Sequence, residues 1–76
     1  MANAFCTAGM KVFVPSSELI ISVVDNHIVR NYMARILNGE TLNPVVLRSS
    51  GRIKDGNHRA AAYKKLGMQI PTINYE

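Results

Sequence analysis

Five consecutive residues, Asp55-Gly56-Asn57-His58-Arg59, are of types that can bind and handle an anion. A glycine placed between an extended run and a helical one lets the chain turn sharply, and without a Cβ it lets an anion approach the backbone. If a helix begins just after it, the N–H groups of residues 57 to 59 lack intrahelical acceptors and point outward with the positive end of the helix dipole. Arg59 adds a planar cation able to grip a phosphate through two parallel hydrogen bonds. His58 offers a second donor, or a proton carrier near neutral pH. Asp55 repels an anion unless Mg²⁺ or a proton intervenes, so it is either a metal-side ligand or turned away. The plain alternative is an ordinary helix start, with Asp55 or Asn57 as N-cap and His58 and Arg59 exposed in the first turn. Spacing alone does not separate the two.

The composition narrows what such a site can belong to. A chain of 76 residues has room for one domain and a modest core, since a chain of this size buries only about 60 to 65% of its unfolded surface. The apolar fraction of 47% against 18% charged residues is that of a folding chain rather than a disordered tail. No apolar run approaches the roughly 18 residues that cross a bilayer, and the start MANAFC has neither a basic segment nor a long apolar one, so a cytoplasmic protein without membrane contact is expected. One cysteine, Cys6, and two distant histidines give no zinc-ligand spacing, so no structural metal is expected. Nine Lys and Arg against five Asp and Glu leave +4, which favours anionic partners such as nucleotides or DNA and equally serves solubility.

The elements that must position the five residues follow from local pattern. Residues 1–10 mix small and apolar types without a period and read as an N-terminal arm, strand-like around Phe5, leaving 11–76 as the single domain. Lys11 to Val14 alternates and is β-rich, Pro15 stops it, and Ser16 and Ser17 can cap a single turn through Glu18-Leu19-Ile20. Ile28, Val29, Tyr32, Met33, Ile36 and Leu37 recur on one helical face, with Asp25 or Asn26 as N-cap and Gly39 just past the end. Arg30, Asn31, Arg35 and Asn38 fall on the other face, where solvation is the expected role. Val45 to Arg48 and Arg52 to Lys54 flank Ser49-Ser50-Gly51 as a β-hairpin. A helix over about 57 to 66 follows, with Ala60, Ala61 and Ala62 small enough to let it lie close on a sheet and Gly67 as its stop. Thr72 to Tyr75 reads as a last strand and as a candidate edge through which a homodimer could pair.

These motifs occur in a set order: Asn43-Pro44 leading into Val45-Val46-Leu47-Arg48, then Gly51 to Ala62 with its glycine-to-arginine turn, then Leu66-Gly67 and Ile70-Pro71-Thr72-Ile73. In that order the chain resembles the ParB and sulfiredoxin superfamily, well over its C-terminal half and more weakly over Val12 to Ile20. The resemblance implies an α+β fold, a small mixed β-sheet with two to three helices. It also implies a nucleotide pocket for CTP or ATP, with Mg²⁺ as accompanying ion, formed by Asn43, Pro44, Gly56, Asn57, His58 and Arg59. Relatives include CTP-binding partition proteins, ATP-dependent sulfiredoxins, a kinase of free serine, and plasmid or phage proteins described as ATPases or nucleases.

The departures from that pattern limit the chemistry. Sulfiredoxins carry their catalytic cysteine between the glycine and histidine of this turn, and here Asn57 stands there, so that reduction is not expected. The serine kinase uses an acidic residue outside the turn, and of the upstream acids Glu18, Asp25 and Glu40 none acquires the role from its position. Partition proteins follow this domain with a helix-turn-helix for which residues up to Glu76 leave no room, so a nucleotide-gated DNA clamp is not expected. The expectation is therefore a small phage- or plasmid-type domain that binds nucleotide phosphate and hydrolyses it weakly or not at all. Two alternatives stand beside it: a non-catalytic module for DNA or a host protein, and a nuclease using Lys54, Asp55 and His58.

Overall fold

In the computed structural model, residues 11–74 are described and fold as a four-stranded mixed sheet with two α-helices. The strands are β1 (Lys11–Val14), β2 (Val45–Leu47), β3 (Ile53–Asp55) and β4 (Ile70–Asn74), and the helices are α1 (Asn26–Leu37) and α2 (Asn57–Lys65). A single 3₁₀ turn, Ser16–Glu18, follows β1. Its N-cap position is Pro15, and no side chain caps it, so Ser16 and Ser17 do not play the expected part. The expected arm, with Phe5 and Cys6, lies outside the described residues.

The sheet order is β1-β4-β2-β3. β4 runs antiparallel to β1, with Val12 opposite Thr72, and parallel to β2, with Val46 opposite Ile73. β2 and β3 form the antiparallel hairpin, with a bulge between Val46 and Leu47. Parallel neighbours need a long connection between them, which β3 and α2 supply. This placement corrects the expectation that Thr72 to Tyr75 is an edge: through Asn74, β4 is flanked by β1 on one side and β2 on the other. Among the described residues the outer strands of the sheet are β1 and β3.

α2 lies between the sheet and α1. Ala60 and Tyr63 join Leu42, Val45, Leu47 and Ile70 in one buried cluster, while Ala61 and Ala62 meet Val29 of α1 in a second. Alanine on both flanks is what lets a helix approach two neighbours closely, and all three alanines are buried. On α1 the buried stripe is narrower than its apolar pattern: Val29 is buried and Tyr32, Met33 and Ile36 half-buried, but Ile28 and Leu37 are exposed. Both helices end alike. Gly39 and Glu40 donate to the carbonyls of Ile36 and Arg35, and Gly67 and Met68 to those of Lys64 and Tyr63, which satisfies the last-turn carbonyls that a helix leaves open. Among the described residues no helix is long and apolar enough to cross a membrane.

Candidate functional site

The short extended segment Lys54-Asp55 reverses at Gly56 into α2, and the reversal needs glycine twice over. Gly56 has φ +98°, a left-handed conformation that side chains resist. A Cβ there would also stand 2.7 Å from the Arg59 Nη2 and 3.2 Å from the Val45 Cα, so the guanidinium lies directly against the glycine. Gly56 is itself the N-cap residue, and no side chain caps the helix. That overturns the assignment of Asp55 or Asn57 as N-cap and leaves the first-turn N–H groups of α2 open to an outside acceptor.

Arg59 is held in a mostly enclosed position, its side chain 14% exposed. Its Nη2 donates to the Pro44 carbonyl in a long bond of 3.4 Å and lies 3.7 Å from the Asp55 carboxylate, which is itself well exposed. Its Nε is buried with no hydrogen-bond partner among the described residues. A guanidinium with an idle donor is short of acceptors by the usual accounting for buried polar groups. Its charge also reaches one helical turn along α2 to Tyr63, where it partly offsets burial that pushes the phenol above its ordinary value.

Asn57 and His58 turn their polar atoms the other way. The Ser22 N–H donates to Asn57 Oδ1 at 3.0 Å, and Asn57 Nδ2 donates back to the Ser22 carbonyl at 3.3 Å. The Asp25 N–H donates to His58 Nε2 at 3.1 Å, so the imidazole accepts there and carries its proton on Nδ1. Two adjacent residues of the α2 N-terminus thus clasp the strap of residues 22–25 that leads into α1. Asp25 also caps α1, its side chain accepting from the His27 N–H at 2.8 Å, as the sequence pattern indicates.

Between strap and hairpin opens a cleft of about 330 Å³, walled by Ser22, Tyr32, Ile53, Lys54, Asp55 and the Gly56–Arg59 turn. Of the six residues expected to form a nucleotide pocket, Gly56, Asn57, His58 and Arg59 line this cleft. Pro44 stands behind it as the acceptor for Arg59, and Asn43 is exposed and outside its walls. Sequence reasoning missed Ser22, Tyr32 and Ile53. Tyr32 and Ile53 read from their patterns as an apolar helix face and a hairpin strand, and Ser22 carries no local signal at all.

No family model matches the chain, and no curated protein matches it. Among solved structures it is similar to the crystal structure of sulfiredoxin from Arabidopsis thaliana, with a TM-score of 0.71 at 23% identity, over 86% of this chain and 83% of that one. The fold is therefore sulfiredoxin-like, and the mixed sheet with two helices is the α+β architecture that the order of motifs leads one to expect.

Proposed function

We propose that this chain binds the phosphates of a nucleoside triphosphate, CTP or ATP, at the Gly56–Arg59 turn. The observation that carries the reading is Arg59: a nearly enclosed guanidinium with an unpartnered Nε, packed on a glycine at an uncapped helix N-terminus, beside a cleft of nucleotide-phosphate size. The open N–H groups of α2 and the Arg59 fork supply donors from two directions. Asn57 and His58 act as positioning residues that hold the cleft wall through the strap. Asp55 in the cleft wall opposes a bare phosphate and favours one that carries a divalent cation, so tighter binding with Mg²⁺ is expected.

The proposal is for binding, with turnover no more than slow. His58 Nε2 is engaged as an acceptor, and by the order of motifs Asn57 stands where the resemblance implies the sulfiredoxin cysteine. Thermal melting with CTP, ATP and Mg²⁺ tests it. Ligand at ten times its dissociation constant should stabilise by about 1.4 kcal/mol and raise the melting temperature by about 6 to 11 °C. Arg59→Lys keeps the charge but not the fork and should weaken binding by about tenfold or more. Asp55→Asn should tighten Mg²⁺-free binding by about three- to tenfold and lessen the gain from Mg²⁺. If no nucleotide at millimolar concentration shifts the melting of the unaltered protein, the reading fails.

A further inference from the structure

The loop end of the β2–β3 hairpin carries two charges, Arg48 and Arg52, that lie outside the walls of the cleft. Arg48 and Arg52 close its loop: the Arg48 N–H donates to the Arg52 carbonyl at 2.8 Å, and the Gly51 N–H donates to the Arg48 carbonyl at 2.8 Å. Gly51 follows the turn at φ +88°, the glycine that a three-residue hairpin loop needs to rejoin its strand. The closure makes the two arginines cross-strand neighbours, a placement that sets Cβ atoms about 5.5 Å apart and makes like charges repel. Both residues are exposed.

The four acidic residues among the described ones do not pair with these arginines. Asp25 caps α1, Glu40 pairs with Arg35 at 2.9 Å, and Asp55 faces Arg59. Glu18 belongs to the 3₁₀ turn after β1. Among the described residues neither Arg48 nor Arg52 has an ion-pair partner. Among the described residues β3 is the outermost strand on that side of the sheet. The loop end of the hairpin therefore sets two exposed positive charges side by side, at an electrostatic cost to the fold.

We propose that this hairpin docks on the sugar-phosphate backbone of duplex nucleic acid. The loop residues Ser49 and Ser50 add hydroxyl donors suited to phosphate oxygens. Arg48 through Lys54 contain no aromatic residue on which an unpaired base could stack, which selects phosphates over exposed bases. The surface reads charge and shape without base specificity, and it stands or falls independently of the Gly56–Arg59 site.

Fluorescence anisotropy with a labelled duplex of about 20 base pairs, titrated from about 50 to 200 mM salt, tests the proposal. The unaltered protein should bind with a log–log salt slope of about −2 to −3, that of two to three neutralised phosphates. R48A/R52A should bind about tenfold or more weakly at the low-salt end, with the slope flattened by about 2. A control, R30A/K65A, removes the same charge from the exposed helical face and should stay within about twofold of the unaltered protein. The melting temperature of R48A/R52A should equal or exceed that of the parent, because a repulsion is relieved, so its loss of binding cannot be ascribed to unfolding. The proposal is overturned if the parent shows no binding, if R48A/R52A keeps affinity and slope, if the helical-face control takes the loss instead, or if a single strand of the same length binds more tightly than the duplex.

Discussion

Arg59 and Tyr63 lie one turn apart on α2 and show how one charge serves two neighbours. Tyr63 is buried in the main cluster, and burial disfavours its phenolate, while the Arg59 charge pulls the other way and does not cancel the effect. A phenol that ionises less readily in the folded state than in the unfolded chain contributes stability that is complete below about pH 10, the unfolded value, and lost as pH rises through the higher folded value. Tyr63→Phe should therefore leave stability near neutrality within about 0.5 kcal/mol and flatten the alkaline decline. Urea midpoints at about pH 8, 10 and 11 check this. Equal losses in the two proteins across that range would assign the decline to other groups. Arg59 was legible from sequence as a candidate anion ligand only through the order of motifs around it, because its spacing from the turn glycine fits an ordinary exposed first-turn arginine equally well. Its contact with the Pro44 carbonyl was not, since that partner sits 15 residues away.

At the scale of elements, what the sequence disclosed was what local rules govern. α1 follows from apolar period, the Asp25 cap and Gly39, and α2 from Gly56, the alanine run and Gly67. The hairpin follows from two β-rich runs around Ser49-Ser50-Gly51, with strand ends displaced by one residue. The strap before α1 was invisible because its order is imposed from 33 to 35 residues away, by Asn57 and His58. Its own sequence, Ile21 to Val24, has neither period nor turn chemistry, and Val23 is 99% exposed. Asn57→Ala should accordingly cost about 1 to 2 kcal/mol by unpairing both backbone groups of Ser22. Hydrogen exchange should localise the effect, with the Ser22 and Asp25 amides exchanging faster and those of β4 unchanged. If the strap amides keep their protection, Asn57 does not hold it.

The whole molecule has little stability to spare. A domain of this length is held by about 4 to 11 kcal/mol in total. Ile70, fully buried among Leu42, Val45, Leu47, Ala60 and Tyr63, is the largest side chain with no exposure among the described residues. Ile70→Ala should remove about 2 to 5 kcal/mol, enough to shift the urea midpoint severely or to leave the chain unfolded at body temperature. A midpoint near that of the parent would show that the centre of the core lies elsewhere. Ile70 also marks the start of β4, whose place in the sheet no local pattern announces, because a strand's neighbours are chosen by the whole topology. β1 has β4 as its strand neighbour, and the Thr72 hydroxyl donates to the Val12 carbonyl at 2.7 Å across 60 positions of chain. During synthesis at about 5 to 20 residues per second, the β1 segment is made roughly 3 to 12 seconds before the strand that completes it, and through that interval its apolar residues must be kept from other chains.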